Sequence, residues 1–175
     1  MLVLITGGSK NGKSHIAEKI IENYDVPRFY IATMQPFGEE AHAAIERHRK
    51  MRKSKKFETI EKYMDIDEIV LPKECAVLLE CACNLCANEM FSTNEKNPVD
   101  KIISGVEKLM KQAEIFVIVT NQVGEDGIEY PDSTMKYIEN MGKINLELSR
   151  IADVVIEAVY GIPVFLKGEI SGCIL

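Results

Sequence analysis

The chain has 175 residues, of which 46% are hydrophobic and 27% are charged, and its formal net charge is −6. This length and composition predict a single globular domain over residues 1–175 and exclude a disordered or fibrous protein. The acidic balance argues against general nucleic-acid binding, and no apolar run reaches the roughly eighteen residues of a membrane span. Five cysteines, with no room for a signal peptide before the first predicted strand, lead us to expect a cytoplasmic protein.

Apolar runs of strand length alternate with helical patterns along the chain. In chain order we predict a strand (1–6), a helix (14–23), a strand (28–32), a helix (38–52), strands (57–60 and 76–80), helices (84–91 and 99–112), a strand (115–120), a helix (133–151) and a strand (153–159). Such alternation predicts an α/β fold with a mostly parallel sheet and helices on both faces. The last segment, 163–174, has Lys167-Gly168 at its centre and is predicted to form a small hairpin at a sheet edge.

The most informative motif lies between the first predicted strand and the first predicted helix. It matches G-x-x-x-x-G-K-[ST] and consists of Gly7, Gly8, Ser9, Lys10, Asn11, Gly12, Lys13 and Ser14. Glycines let backbone N–H groups turn inward around phosphate oxygens, and the following helix adds the positive end of its dipole. The motif therefore predicts a nucleoside triphosphate site, with Lys13 at the β- and γ-phosphates and the Ser14 hydroxyl on Mg²⁺. The alternative is a glycine-rich turn with an incidental lysine.

An acidic residue, Glu80, ends the apolar strand predicted at 76–80. In nucleotide-binding folds a carboxylate at such a position lies beside the phosphate loop and holds Mg²⁺ or its water. Any buried strand can end in an acid, so this prediction depends on the presence of the glycine loop.

A basic segment covers residues 47–56, where seven of ten residues are Lys or Arg. One interpretation is a solvated helix end, where positive charge complements the helix dipole. A second is an RNA-binding patch, although Phe57 is its only aromatic neighbour. A third is a reaction site, because surrounding cations keep His48 neutral and available as a nucleophile while Arg49 and Arg52 hold a triphosphate. The residues alone do not decide between the first and third interpretations.

Three cysteines, Cys81, Cys83 and Cys86, cluster after the strand predicted at 76–80. A metal site would need a fourth ligand, and neither a second cysteine pair nor a histidine lies nearby in sequence. Packing as small apolar side chains is therefore the favoured interpretation.

Together these motifs resemble the bifunctional adenosylcobinamide kinase / adenosylcobinamide-phosphate guanylyltransferase family of cobalamin assembly. The resemblance spans nearly the whole chain. The matching residues are the 6–14 loop, Tyr30-Ile31-Ala32-Thr33, His48-Arg49, Arg52, Thr59, Glu61, Leu78-Leu79-Glu80-Cys81, Asn88, Val119-Thr120-Asn121, Val123-Gly124, Gly142, Asn145, Ala152-Asp153 and Gly161-Ile162-Pro163.

The resemblance implies a RecA-like P-loop fold, a homo-oligomer (commonly a trimer) and two reactions on a corrinoid substrate. In the first, a nucleoside triphosphate (GTP or ATP, with Mg²⁺) phosphorylates adenosylcobinamide. In the second, a histidine takes GMP from GTP and passes it to adenosylcobinamide phosphate, and His48 occupies the position of that histidine. The resemblance also implies that Arg49, Arg52, Glu61 and Glu80 contact nucleotide.

Three positions depart from the family pattern. Gln122 replaces a glutamate, while Met135 and Ile138 replace two arginines. Charge-assisted hydrogen bonds contribute about 1.5–3 kcal/mol each, so these changes bear on nucleotide or corrinoid binding. Two other functions therefore stay open: a small-molecule kinase with one activity, and a nucleotide-binding regulatory module without corrinoid chemistry.

Overall fold

The computed structural model describes residues 1–39, 42–43, 45–46, 50, 55–93 and 95–170. Its strands are β1 (Leu2–Thr6), β2 (Arg28–Ala32), β3 (Phe57–Glu61), β4 (Cys75–Leu79), β5 (Ala113–Val119), β6 (Val154–Val159) and β7 (Ile162–Lys167). Its helices with defined ends are α1 (Lys13–Glu22), α2 (Ala82–Phe91), α3 (Pro98–Met110) and α4 (Asp132–Ile151), with a 3₁₀ turn at Ile66–Glu68. The described residues of the helix predicted at 38–52 are helical.

The described strands form one sheet in the order β3-β2-β4-β5-β1-β6-β7. Strands β1 to β6 run parallel, and β7 pairs antiparallel with β6. Strands β1 and β4 are apolar throughout their buried lengths because helices cover both faces of the sheet. Since parallel strands share a direction, the residues that follow β1, β4 and β5 meet at one edge of the sheet.

Helices pack on both faces, so the predicted three-layer α/β architecture is confirmed. On one face, Ile16, Ala17, Ile20 and Ile21 of α1 pack with inward residues of the central strands. On the other face α2, α3 and α4 form a larger core, which includes Leu85, Val106 and Ile144. No helix in the described ranges is long and apolar enough to cross a membrane.

The C-terminal hairpin lies earlier in the chain than its predicted position. Its strands are β6 and β7, and Val159 pairs with Ile162 across a two-residue turn. Both turn residues, Tyr160 and Gly161, have positive φ (52° and 83°), as a tight turn compatible with strand twist requires. Lys167 lies in β7 and pairs with Val155, so the turn is not at Lys167-Gly168; residues 171–174 of the predicted hairpin lie outside the described residues. Gly168 instead allows a close approach, because a Cβ there would lie 2.2 Å from the Asp153 carbonyl oxygen.

Candidate nucleotide-binding site

The glycine motif forms the loop between β1 and α1, and at two positions of this loop the backbone requires glycine. Gly7 has φ 134°, and a Cβ there would lie 2.6 Å from the Ala158 carbonyl oxygen. Gly12 has φ 87°, and a Cβ there would lie 3.0 Å from the Cα of Gly161. The Gly161 N–H also donates to the Asn11 carbonyl oxygen at 3.1 Å. The β6–β7 turn therefore packs against the phosphate loop and is hydrogen-bonded to it.

The N-terminus of α1 opens into this loop. Gly12 precedes the helix, and no side chain caps it. The first N–H groups of a helix have no partner within the helix, and together with the helix dipole they attract an anion. Ser14 is half-buried and lies in this first turn, directly after Lys13.

Lys13 is buried against the loop that precedes it. Its Nζ donates to the carbonyl oxygens of Gly7 at 2.8 Å and Gly8 at 2.6 Å. Burial lowers the pKa of Lys13, whereas the nearby Cys81 and Cys83 raise it when they are ionised. The ammonium group is thus held at the loop by backbone dipoles, in the place where the motif predicts phosphate contact.

Glu80 directly follows β4, and β5 separates β4 from β1. Its Oε2 accepts hydrogen bonds from the N–H groups of Thr33 at 3.2 Å and Met34 at 3.4 Å. These bonds fix a half-buried carboxylate at the same sheet edge as the phosphate loop. No ready-made cluster of three or more metal-binding side chains occurs in the described ranges.

Asn121 follows β5, the strand that lies between β1 and β4 in the sheet. Its Nδ2 lies 3.7 Å from the sulfur atoms of both Cys81 and Cys83. Asn145 of α4 fixes this segment, because its Oδ1 accepts from the Thr120 hydroxyl at 2.7 Å and its Nδ2 donates to the Asn121 carbonyl oxygen at 3.3 Å. Sequence reasoning gave Asn121 and Asn145 no role. Both residues belong to the set that matches the family, and Asn121 also comes just after the buried strand β5.

The cysteines divide into two environments. Cys86 is fully buried, with its sulfur 3.8 Å from that of Met90, and burial raises its pKa to about 12. Cys81 and Cys83 share a hydrogen bond, which lowers the pKa of Cys83 to about 6, against the effect of burial, and raises the pKa of Cys81. Cys86 packs as the sequence predicts, while Cys81 and Cys83 border the phosphate loop.

Glu61 is not close to the phosphate loop. It ends β3, and four strand steps separate β3 from β1, which at roughly 4.8 Å each amount to about 19 Å. Its Oε2 accepts from the Tyr63 hydroxyl at 3.2 Å. The proposed nucleophile His48 and its neighbours Arg49 and Arg52 lie outside the described residues.

Gln122, one of the three positions that differ from the family pattern, contacts the strand next to the phosphate loop. Its Nε2 donates to Glu157 Oε1 at 3.1 Å, and Glu157 pairs with Thr6, the residue before Gly7. The other two positions that differ from the family pattern, Met135 and Ile138, lie on α4.

A parallel sheet with a glycine loop between β1 and α1, a lysine at that loop and a carboxylate after β4 defines an α/β P-loop nucleotide-binding protein. The sequence model of the family described as "Cobinamide kinase / cobinamide phosphate guanyltransferase" matches residues 3–166. The chain belongs to this family and is an enzyme of cobalamin biosynthesis.

Curated relatives agree with this assignment. The chain is 31% identical to the "Bifunctional adenosylcobalamin biosynthesis protein CobU" of Escherichia coli, over 95% of this chain and 100% of that protein. It is 30% identical to the protein of the same name from Salmonella typhimurium, again over 95% and 100%. It is 24% identical to the "Bifunctional adenosylcobalamin biosynthesis protein CobP" of Pseudomonas aeruginosa, over 95% and 97%.

Among solved structures, a DnaB-like replicative helicase aligns at a TM-score of 0.46 and 11% identity, over 94% of this chain and 54% of that chain.

Proposed function

We propose that this chain phosphorylates adenosylcobinamide with GTP or ATP and then transfers GMP from GTP to the product, giving adenosylcobinamide-GDP. The observation that carries the proposal is the complete phosphate loop, with Lys13 held at the carbonyl oxygens of Gly7 and Gly8, in a chain that matches the family over residues 3–166. This arrangement supports phosphoryl transfer, which depends mainly on positioning and charge neutralisation.

In the kinase step, the alcohol oxygen of the aminopropanol arm forms a bond to the γ-phosphorus. The bond from that phosphorus to the β–γ bridging oxygen breaks, the nucleoside diphosphate leaves with the electron pair, and the alcohol proton passes to water. Loop N–H groups and Lys13 stabilise negative charge on the phosphate oxygens. Asn121 contacts the sulfur atoms of Cys81 and Cys83, and these three residues follow β5 and β4 at the same sheet edge as the loop.

The residues present fit Mg²⁺. The Ser14 hydroxyl and the Glu80 carboxylate are hard oxygen donors at one sheet edge, and Mg²⁺ in such sites is held by one or two carboxylates together with phosphates and water. When bound, the ion would neutralise charge on the β- and γ-phosphates. Glu80 is kept in place for this role by the Thr33 and Met34 N–H groups.

In the guanylyl step, we assign the nucleophile to His48. An imidazole nitrogen forms a bond to the α-phosphorus of GTP, and pyrophosphate leaves with the electron pair of the broken α–β bridge. A phosphate oxygen of adenosylcobinamide phosphate then displaces the histidine. A covalent intermediate divides one difficult transfer into two easier ones, and Arg49 and Arg52 complement the triphosphate charge.

The test of the guanylyl step is incubation of the protein with GTP labelled at the α-phosphate. We expect covalent label through an acid-labile, alkali-stable bond, and its loss in His48→Ala. The matched control is His42→Ala, which removes an exposed histidine of the same segment and should label normally.

The outcome also separates the alternatives. A wild-type protein that phosphorylates adenosylcobinamide but takes up no α-label would be a kinase alone. Tight nucleotide binding with neither activity would indicate a regulatory module.

We also propose that the chain forms a homo-oligomer. Ile162, Val164 and Leu166 alternate along β7 and therefore share one face. Their exposed fractions are 59%, 40% and 59%, so this strand face is apolar and largely open to solvent. Exposed apolar patches of this kind mark contact surfaces, and a second copy would cover it.

A further inference from the structure

A cavity of about 480 Å³ opens between the 122–130 loop and α4. We propose that this cavity binds the aminopropanol arm of the corrinoid acceptor and the amide side chains of the corrinoid that neighbour that arm. The inference rests on the proposed kinase function and assigns its second substrate to a place in the fold. The cavity follows β5, whose C-terminal end lies between the phosphate loop and Glu80.

Two sets of contacts connect this cavity to the phosphate loop. On one side Tyr137 lines the cavity, and its hydroxyl donates to the Cys83 carbonyl oxygen at 3.3 Å. Cys83 in turn lies close enough to Lys13 to act on it electrostatically. On the other side Gln122 lines the cavity and donates to Glu157, whose strand partner Thr6 precedes Gly7. Both sets of contacts lead from the cavity lining to residues of the phosphate loop or its flanking strand.

The lining suits a short aliphatic alcohol joined to amides. Val123 and Ile138 provide apolar walls, while Glu125 and Asp126 provide acceptors for amide N–H groups. The Asp126 carboxylate is fixed in place, because the Tyr130 hydroxyl donates to it at 2.5 Å and the Ile128 N–H donates at 3.3 Å. Because the Asp126 carboxylate is already held in place, accepting a hydrogen bond from a ligand amide costs little conformational entropy.

The cavity wall is built by a close backbone approach. Gly124 has φ 79°, and a Cβ there would lie 2.6 Å from Ile138 Cγ2. The loop can therefore lie directly on α4 at this point, which leaves the space between Gln122, Thr134 and Tyr137 open. The volume is within the usual range for small-molecule sites, about 300–1,000 Å³. A corrin ring with all its side chains exceeds it, so the ring would stay outside the mouth.

The test uses two neighbouring positions of α4. Thr134 lines the cavity, whereas Ser133 lines a different one. Thr134→Trp should fill the space and raise both the Kd for cobinamide and the KM for its phosphorylation at least tenfold. The KM for the nucleotide and the α-labelling with GTP should not change. Ser133→Trp adds the same bulk outside the cavity and should behave as wild type.

A second variant tests the same assignment in case Thr134→Trp does not fold. Asp126→Ala changes an exposed loop residue and should weaken cobinamide binding by about fivefold, the effect of losing a hydrogen-bond acceptor. Cobinamide binding is measured by equilibrium dialysis, separately from turnover. Binding without phosphorylation by the wild type would contradict the proposed function and leave the cavity assignment standing. Wild-type affinity in both Thr134→Trp and Asp126→Ala, or no binding by the wild type, would overturn the assignment.

Discussion

Among single residues, Lys13 has the most direct consequence for the proposed chemistry. Its ammonium group bonds to the Gly7 and Gly8 carbonyl oxygens and is buried. We expect Lys13→Met to lower kcat for phosphoryl transfer by about a hundred- to a thousandfold, the usual effect of removing one donor that stabilises transition-state charge. Steady-state kinetics with cobinamide and nucleotide measures this effect.

The matched control is the other lysine of the same loop. Lys10 is exposed and has φ 61°, a conformation that asparagine tolerates. Lys10→Asn should therefore keep the loop geometry and retain most of kcat. Equal losses in the two variants would contradict a specific role for Lys13.

The Cys81–Cys83 pair predicts a pH dependence. Because the pKa of Cys83 is lowered to about 6, its thiolate should form as the pH rises through about 6 and persist at neutral pH. Cys81 should stay protonated over this range, because its pKa is raised by the same hydrogen bond. Thiolate absorbance at 240 nm should show this step in the wild type and lose it in Cys83→Ser.

Cys86→Ser is the comparison for this titration. The pKa of Cys86 is raised to about 12, so its removal should leave the step near pH 6 in place. A wild-type protein with no thiolate below pH 8 would contradict the prediction.

Among elements, α3 is linked to the residue before the 3₁₀ turn and to α2 by an ionic contact around the buried Glu89. Lys101 bonds to the carboxylates of Asp65 and Glu89, and Glu89 is only 1% exposed. Removing one partner of a buried pair leaves an uncompensated charge, which destabilises by about 3–5 kcal/mol. Lys101→Met should lower the free energy of unfolding by about this amount in urea titrations.

Lys108 on the same helix provides the control. Its pair with Asp67 is at 3.5 Å, and more than half of the Lys108 side chain is exposed. Exposed pairs contribute about 0–1 kcal/mol, so Lys108→Met should have little effect. A similar decrease in the free energy of unfolding in both variants would show that the contact with Glu89 stabilises the protein no more than the exposed pair does.

At the scale of the whole molecule, the apolar face of β7 predicts self-association. A double variant, Ile162→Lys with Leu166→Lys, should shift the wild-type oligomer to monomer in analytical ultracentrifugation. Desolvating two ammonium groups at an interface is unfavourable. Val70→Lys changes a side chain that is 88% exposed elsewhere on the surface and should not alter assembly. A monomeric wild-type protein would contradict the prediction.

Much of the fold follows from local patterns. The run 2–5 is fully buried in β1 and the run 75–79 in β4, as continuous apolar segments predict. Local pattern does not identify the hairpin turn, because the C-terminal segment contains more than one Xaa-Gly pair. Tyr160-Gly161 forms the turn, and Gly168 is needed for its contact with Asp153.

The phosphate loop, the alternation of strands and helices and the family can all be inferred from the sequence alone. These depend on contiguous residues: the glycines set their own backbone conformation, and apolar spacing sets the local structure. Contacts between residues far apart in the chain become visible only in the folded structure. The sheet order places Asn121 beside Cys81 and Cys83, joins Gln122 to Glu157, and leaves Glu61 at the far edge. Strand order follows from packing between segments far apart in the chain, which local periodicity does not encode.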